Sequence, residues 1–194
     1  MTQSRPETDT IKRRGMPVWV QVIVWVVLFG LLAVVAFGLR RSQQGTVQVG
    51  EKIPDFNLTL FEGYDYGGAS QIHLGQMQGK VIVMNFWASW CKPCEQEAAE
   101  LEEAWKYYEN AEDVVFVGVD YVDTEPEAIS YLKKFGITFP NGPDMGTKIS
   151  QSFRIKGVPE TYIVDKSGKI AYIQVGPFVS VDEIITVIES VRSK

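Results

Sequence analysis

The hydrophobic pattern separates a long apolar segment from the rest of the chain. Residues Val18–Leu39 form a run of 22 residues without a charge, in which Gln21 is the only strongly polar side chain. As an α-helix this run spans roughly 33 Å, enough to cross a hydrocarbon core of about 30 Å. A cleaved signal peptide is the alternative, because Ala36-Phe37-Gly38 places small residues at a cleavage spacing. The run exceeds the about 7–15 apolar residues of a signal peptide, which favours an uncleaved membrane anchor.

Beyond residue 80, short apolar runs alternate with segments of helical periodicity. Val81–Phe86 and Val114–Val119 have the length and composition of buried strands. Between them, apolar residues recur at helical spacing among glutamates and a lysine, which predicts an amphipathic helix carrying Ala98, Leu101, Trp105 and Tyr108. Residues 52–78 contain the turn-rich sequence GYDYGGAS, and we expect irregular structure there.

The C-terminal part continues with further helices and a hairpin. Pro126 stands at the start of a helical pattern that Gly136 ends. A weaker helix, two strands joined by a tight turn, and a final amphipathic helix are predicted over Gly146–Phe153, Thr161–Asp165, Lys169–Val175 and Val181–Val191. This order of elements predicts an α/β domain whose sheet is parallel at its centre and antiparallel at one edge.

The charges that flank the apolar run predict its orientation. Four bases precede the run and two follow it, with none after these until Lys52: Arg5, Lys12, Arg13 and Arg14, then Arg40 and Arg41. This bias places the N-terminus inside and the body outside the cytoplasmic membrane. We therefore expect a cytoplasmic tail over residues 1–17, a transmembrane anchor over 18–39, a linker over 40–48 and a folded domain over 49–194.

The body is acidic. From Ser42 onward the chain has 13 Lys and Arg against 22 Asp and Glu, a net charge of −9. Such a surface offers no basic patch for nucleic acid, so we expect no nucleic-acid partner. The negative charge supports solubility and would favour a cationic partner.

The chain has only two cysteines, Cys91 and Cys94, in the sequence WCKPC. A structural zinc site usually needs four Cys or His ligands, and His73 is the only histidine, so no metal is expected. A purely structural disulfide of this spacing closes a very small loop and would contribute only about 2 kcal/mol. A redox-active pair is the interpretation that explains the position of the cysteines best.

The cysteines fall between a predicted buried strand and an amphipathic helix, and therefore in the first turn of that helix. The free N–H groups and the dipole of a helix N-terminus stabilise a thiolate, and Pro93 fits there because it has no N–H to lose. The spacing puts both sulfurs on one helix face. We expect Cys91 to be the exposed attacking thiol and Cys94 to resolve the mixed disulfide.

Three stretches of the sequence carry a family resemblance. They are VIVMNFWASWCKPC followed by Glu97, GVPETYIVDKSGKI, and VGPFVSVDEI, and together they cover roughly Val49–Ser190. The chain resembles the membrane-anchored thioredoxin-like proteins of the TlpA, ResA and CcmG (DsbE) type. This resemblance implies a thioredoxin-like α/β fold, a central mixed sheet flanked by helices, plus one N-terminal transmembrane helix. The group's extra strand and helix would lie at about Asp120–Pro140.

The resemblance also implies residues that support the cysteines. Val158-Pro159 would form the cis-proline loop facing them, and the Val158 backbone would bind an extended peptide. Glu97 would tune the proton affinity of the cysteines, Glu160 would face the same cleft, and Trp90 would pack beside Cys91. The alternatives are a solvated helix glutamate for Glu97 and an exposed loop position for Glu160. Trp87 is expected in the core, and Glu95, Glu100 and His73 at the surface.

The implied function is reduction of disulfides outside the cytoplasmic membrane, with apocytochrome c as a frequent substrate. A membrane thiol transporter of the CcdA or DsbD type would supply electrons, and no cofactor is expected besides the Cys91–Cys94 disulfide. Four alternatives stay open: reduction of copper-site cysteines, general thiol-disulfide exchange, a peroxiredoxin-type peroxidase, and a passive binding module. The peroxidase lacks support, because Ala88-Ser89-Trp90 precedes Cys91 in place of a Thr-x-x-Cys setting. Lys92 would favour a thiolate and Glu97 would oppose it, so Lys92-Pro93 alone does not fix the direction of electron flow.

Overall fold

A computed structural model describes residues 17–42 and 47–193, in two units divided between residues 44 and 45. In the first unit, helix α1 covers Val18–Ser42. It contains the predicted apolar run and continues three residues beyond it. Within this unit the segment Val18–Phe37 is long and apolar enough to cross a membrane, and its side chains are not buried. The unit therefore fits a single-pass membrane anchor.

The second unit contains a five-stranded sheet in the order β5-β4-β3-β6-β7 and a separate hairpin of β1 and β2. The strands are β1 (Asn57–Thr59), β2 (Gln71–His73), β3 (Val81–Trp87), β4 (Val114–Asp120), β5 (Asn141–Pro143), β6 (Glu160–Val164) and β7 (Ile170–Val175). The helices are α2 (Lys92–Tyr108), α3 (Glu125–Lys134), α4 (Lys148–Phe153) and α5 (Val181–Arg192). This is a thioredoxin-like α/β fold with a mixed sheet, as the sequence predicts.

The central strand β3 divides the sheet into a parallel and an antiparallel half. It pairs in parallel with β4, which pairs in parallel with β5. On its other side β3 pairs antiparallel with β6, which pairs antiparallel with β7. The antiparallel part therefore begins at the centre of the sheet and not at its edge, because the hairpin of β6 and β7 lies directly beside β3.

Both faces of the sheet are covered, which explains why its inner strands are apolar throughout. On one face, Val81 and Val83 of β3 belong to a core that includes both cysteines and residues of α2, α3 and α5. On the other face, Ile82, Met84 and Phe86 belong to a second core with α4 and the segment around β1 and β2. The alternation of β3 residues between the two cores follows from the period of two in a strand.

Two segments differ from the sequence-based expectations: residues 52–78, and the strand β5 that follows the expected insertion. Residues 52–78 contain the hairpin of β1 and β2, and its residue Thr59 lies against β5 so closely that a Cβ at Gly142 would collide with the Thr59 carbonyl. Helix α3 lies inside the expected insertion of about Asp120–Pro140, and β5 follows directly after it. Strands β1, β2 and β5 have three residues each, which is too few for a periodic pattern of apolar residues to be recognised in the sequence.

The expected linker of residues 40–48 is shorter at both ends in the structure. Residues 40–42 belong to α1, and Val47 is buried in the second core of the body. Residues 43–46 lie outside the described residues, as do residues 1–16 of the expected cytoplasmic tail and Lys194. The body therefore includes Val47, two residues earlier than predicted.

Gly118 provides a test of the packing between β4 and β5. A Cβ at this position would collide with the side chain of Asn141, its partner in the neighbouring strand. Asn141 is fully buried and accepts a hydrogen bond from the Trp87 indole N–H at 2.8 Å. Gly118→Ala should therefore lower the free energy of unfolding by about 2–3 kcal/mol, through overpacking and loss of that hydrogen bond.

The measurement is guanidinium unfolding of the oxidised full-length chain in detergent, followed by circular dichroism. Gly75→Ala is the matched control, because no atom lies within 4 Å of the added Cβ. A loss below about 0.5 kcal/mol for Gly118→Ala, within the usual range of surface substitutions, would contradict this account of the packing.

Candidate active site

The cysteine pair lies at one edge of the sheet, directly after β3 and at the start of α2. At this edge β3 and β4 both end, with Trp87 opposite Asp120, and β6 begins, with Phe86 opposite Glu160. The carboxyl ends of parallel strands and the N-terminus of the following helix thus meet at one place. The predicted position of the cysteines, between a buried strand and the first turn of a helix, is confirmed.

Cys91 is the N-cap residue of α2, with extended backbone angles of φ −84° and ψ 105°. Its sulfur accepts a hydrogen bond from the Cys94 backbone N–H at 3.1 Å. The two residues form a disulfide with their Cα atoms 5.2 Å apart, and Pro93 stands in the first turn of the helix. The Cys94 N–H has no acceptor within the helix and points at the Cys91 sulfur. Such an environment at a helix N-terminus stabilises a thiolate.

Cys91 is less exposed than the sequence analysis expects. Its exposed fraction is 3%, against 1% for Cys94. In this oxidised state the disulfide and the hydrogen bond from the Cys94 N–H both hold the Cys91 sulfur against the helix. Both cysteines are therefore buried, and the predicted exposed position of Cys91 is not seen in the disulfide form.

The two tryptophans beside the cysteines have different environments. Trp90 is 59% exposed, and its indole N–H donates to the Val122 carbonyl at 3.3 Å. Trp87 is buried in the core, where its ring stacks on Tyr131 at 4.5 Å between centroids. The predicted core position of Trp87 is confirmed, and Trp90 presents an exposed apolar surface next to Cys91.

The loop before β6 contains a cis peptide bond between Val158 and Pro159. Pro159 is buried, and its carbonyl accepts a hydrogen bond from the Gly176 N–H at 3.0 Å. Val158 is half-buried and packs against both cores, one of which contains the two cysteines. Among the residues that the structure describes, none forms a hydrogen bond with the Val158 backbone, so its N–H and carbonyl are available to a ligand.

Glu97 is a buried carboxyl group, one turn after Cys94. It is only 1% exposed, so it is not a solvated helix glutamate. Its Oε1 accepts a hydrogen bond from the Asn85 side-chain amide at 2.8 Å, and its Oε2 accepts one from the Phe178 backbone N–H at 2.9 Å. Burial raises the pKa of Glu97 to about 7, against the opposing effect of these two hydrogen bonds.

Glu160 is also buried, but on the other side of the sheet. Its Oε1 accepts a hydrogen bond from the Tyr162 hydroxyl at 2.6 Å, and Tyr162 belongs to the second core. Its Oε2 accepts one from the Lys156 backbone N–H at 2.9 Å. The structure therefore does not bring Glu160 to the cleft beside Glu97. Because side chains alternate along β6, the Glu160 side chain lies on the opposite face of the sheet from that cleft. There Glu160 holds the chain just before the cis-proline through its hydrogen bond with the Lys156 N–H.

Three further residues are predicted at the surface: Glu95, Glu100 and His73. Glu95 lies at the surface as expected, 3.1 Å from the Lys92 ammonium and 3.3 Å from that of Lys134, and its hydrogen bond from Lys92 lowers its pKa. Glu100 is half-buried, and its Oε2 has no hydrogen-bond partner among the described residues. His73 is exposed as expected. Across the described ranges, no cluster of His, Cys, Asp and Glu is suited to holding a metal ion.

Sequence reasoning missed Asn85, which connects Glu97 to the sheet. Its amide donates both to Glu97 and to the Thr161 hydroxyl, the latter at 2.9 Å. Asn85 is the one polar residue in the strand VIVMNFW, which is buried at every position. A polar residue in such a strand needs buried partners, so this position was a signal that pattern analysis could have used.

Fold and site together define a thioredoxin-like protein with a redox-active CxxC pair. The profile of the AhpC/TSA family matches residues 49–173. A thiol-disulfide oxidoreductase ResA of Bacillus cereus is 30% identical over 151 residues, which are 77% of this chain and 83% of the relative. The thioredoxin-like protein YneN of Bacillus subtilis (strain 168) is 30% identical over 161 residues, which are 81% and 89% of the two chains.

A solved structure is similar in fold. It is a thiol:disulfide interchange protein of the thioredoxin family from Chlorobium tepidum TLS, with a TM-score of 0.63 and 22% identity, over 76% of this chain and 99% of that one. The chain belongs to the AhpC/TSA family and, within it, to the thiol-disulfide oxidoreductases of the TlpA, ResA and CcmG (DsbE) group. It is therefore an enzyme of thiol-disulfide exchange that uses Cys91 and Cys94.

The raised pKa of Glu97 predicts a pH-dependent stability. In the unfolded chain this group loses its proton near pH 4.5, whereas in the folded protein it keeps the proton until about pH 7. The unfolded state therefore binds fewer protons in this range, and stability falls as pH rises. Relative to Glu97→Gln, the free energy of unfolding of the wild type should fall by up to about 3 kcal/mol between pH 4.5 and 7.

This difference is measured by chemical unfolding of both oxidised proteins at several pH values. Glu103→Gln serves as the control for loss of one carboxylate from the exposed side of α2. A wild-type minus Glu97→Gln difference that stays constant across the range would show that the Glu97 pKa is not raised.

Proposed function

We propose that this protein reduces protein disulfides outside the cytoplasmic membrane, and that its substrate is the CxxCH haem-binding motif of apocytochrome c. The observation that carries the direction of electron flow is the buried Glu97 carboxyl group beside the cysteines. Glu97 is negatively charged at pH values above its pKa of about 7, and a negative charge near a thiol disfavours its thiolate. Oxidants of this class owe their potential to a stabilised reduced form, so a dithiol that gains less thiolate stabilisation is the stronger reductant.

The cation that could counteract Glu97 is engaged elsewhere. Lys92 lies between the cysteines in sequence, but its ammonium group is 3.1 Å from Glu95 and its side chain is 81% exposed. Its charge is therefore largely screened and shared with a carboxylate. This balance of charges favours a reducing over an oxidising dithiol.

The proposed reaction is two successive thiol-disulfide exchanges. The Cys91 thiolate attacks one sulfur of the substrate disulfide, and the other substrate sulfur leaves as a thiolate that takes up a proton. Cys94, after losing its proton, attacks the Cys91 sulfur, which releases the second substrate thiol. The substrate gains two electrons and two protons, and the enzyme is left with the Cys91–Cys94 disulfide seen in the structure.

The surrounding residues are assigned supporting roles in this reaction. The free Val158 backbone would pair with an extended substrate, held in place by Pro159. The exposed face of Trp90 would contact apolar side chains of the substrate. Pro93 would occupy the first turn of α2 without adding an unpaired N–H group. Glu160 would hold the cis-proline loop in place through its hydrogen bond with the Lys156 N–H.

The enzyme must be reduced again after each turnover. We assign this role to a membrane thiol transporter of the CcdA or DsbD type, which fits a domain held at the membrane by α1. No cofactor is required besides the cysteine pair, because both half-reactions exchange electrons between sulfur atoms.

The substrate assignment is tested with the full-length chain in detergent. Cys94→Ser should accumulate a mixed disulfide between Cys91 and an oxidised CxxCH peptide, because the resolving thiol is absent. Cys91→Ser should form none. A deletion strain should lose c-type cytochromes in a haem stain, and the wild-type gene should restore them.

Each alternative has its own outcome. A midpoint potential near about −120 mV, the value of a strong oxidant, would contradict the reductant assignment. Normal c-type cytochromes together with loss of oxidase copper would assign the enzyme to copper-site cysteines instead. Complementation of the deletion by Cys91→Ser would show that the cysteines are passive.

The proposed orientation has an independent test. Arg5 and the Lys12–Arg14 bases before the anchor favour an inside N-terminus, which places the CxxC outside. In cells whose cytoplasmic membrane is intact, reduced Cys91 should react with a membrane-impermeant maleimide. Labelling only after lysis of the cytoplasmic membrane would reverse the orientation.

A further inference from the structure

The residues just before Cys91 are tied to the loop that joins β4 to α3, residues 121–124. Both carboxylate oxygens of Asp123 accept hydrogen bonds from Ser89, from its backbone N–H at 2.5 Å and from its hydroxyl at 2.7 Å. Ser89 precedes Cys91 by two residues. One side chain of the 121–124 loop thus holds the segment that leads into the reactive cysteine.

The same loop makes a second contact with this segment. The Val122 carbonyl accepts the hydrogen bond from the Trp90 indole N–H. Val122 has a φ of 56°, in the left-handed region that a β-branched residue rarely adopts. Such a conformation persists only where the surroundings hold it in place, which indicates that the position of this loop is closely determined.

A buried acid, Asp120, lies behind Asp123. It is the last residue of β4 and 2% exposed, and its Oδ1 has no hydrogen-bond partner among the described residues. Burial raises its pKa to about 9, and the neighbouring carboxylates of Asp123 and Asp144 act in the same direction. The raised pKa favours the protonated form of Asp120, which can donate a hydrogen bond to Asp123.

We propose that Asp123 is a positioning residue for the thiol-disulfide exchange reaction, holding Ser89 so that Cys91 forms the N-cap of α2. Asp120 supports it from behind as a hydrogen-bond donor. Neither residue touches the reacting sulfurs. The proposal concerns the exchange activity itself and does not depend on which disulfide is the substrate.

The geometry shows how the effect reaches the sulfur. The Cys91 N–H donates to the Ala88 carbonyl at 3.1 Å, so that residues 88–91 form a turn with Ser89 inside it. This turn gives Cys91 the extended backbone in which its sulfur accepts the Cys94 N–H. If Ser89 is released, the turn loosens and the Cys91 thiolate loses a charge-assisted hydrogen bond.

Positioning and simple charge effects predict opposite results for Asp123. Removing a nearby negative charge would, by electrostatics alone, lower the pKa of Cys91 and speed its reaction. Loss of positioning raises that pKa and slows the reaction. The sign of the change therefore separates the two explanations.

The test measures alkylation of Cys91 by iodoacetamide in the reduced full-length chain, in detergent, as a function of pH. Asp123→Ala should raise the apparent pKa of Cys91 and slow its alkylation at pH 7 by about three- to tenfold, since one pKa unit is a tenfold change in thiolate. Ser89→Ala, which keeps the N–H donor, should slow it by about half as much on a logarithmic scale. The midpoint potential should become more negative in both variants, because the reduced form loses thiolate stabilisation.

Asp120 offers a conservative pair of variants. Asp120→Asn keeps a hydrogen-bond donor and should react within about twofold of the wild type, whereas Asp120→Ala should show part of the Asp123→Ala effect. Glu125→Gln is the control for loss of a carboxylate nearby, because Glu125 is exposed at the start of α3, and it should leave the Cys91 pKa unchanged.

A wild-type Cys91 pKa and potential in both Asp123→Ala and Ser89→Ala would overturn the proposal. Faster alkylation of Asp123→Ala with a lowered pKa would also overturn it, in favour of a charge effect. If Asp123→Ala does not fold, Ser89→Ala and the two Asp120 variants decide the question. Equal effects of Asp120→Asn and Asp120→Ala would show that Asp120 does not support Asp123 by donating a hydrogen bond.

Discussion

The buried Glu97 carboxyl group is the interaction on which the arrangement of the site depends most. It joins three parts of the fold: it stands on α2, accepts from Asn85 on the central strand, and accepts from the Phe178 N–H in the segment before α5. Both donors belong to buried residues, so moving α2 would leave polar groups unpaired in the core. The helix that carries Cys94 is thereby fixed to the sheet by Glu97.

The position of the cysteines follows from the topology of the sheet. Parallel strands β3 and β4 end at one edge, and the antiparallel strand β6 begins there, because the chain reverses direction beside the central strand. The N-terminus of α2, the 121–124 loop and the cis-proline loop therefore lie next to one another at this edge of the sheet. Each comes from a different part of the sequence, and only the sheet brings them together.

Much of this site could be predicted from sequence, and the limits have physical causes. The strand-CxxC-helix order gave the positions of Cys91 and Cys94, since local periodicity and helix-end chemistry act within a few residues. The resemblance pointed to Glu97 but not to its partner Asn85, because hydrogen bonds across the sheet leave no local pattern. It also placed Glu160 in the wrong environment, because the face of a residue at the first position of a strand depends on the register with β3.

Two carboxylates hold the two loops that meet at the cysteines. Asp123 accepts two hydrogen bonds from Ser89 ahead of Cys91, and Glu160 accepts the Lys156 N–H ahead of the cis-proline. An ionised carboxylate has two oxygens that accept hydrogen bonds from several N–H and O–H groups at once. It can therefore hold a loop by binding the N–H and O–H groups of that loop. The positions of both loops beside the cysteines are therefore set by acidic side chains.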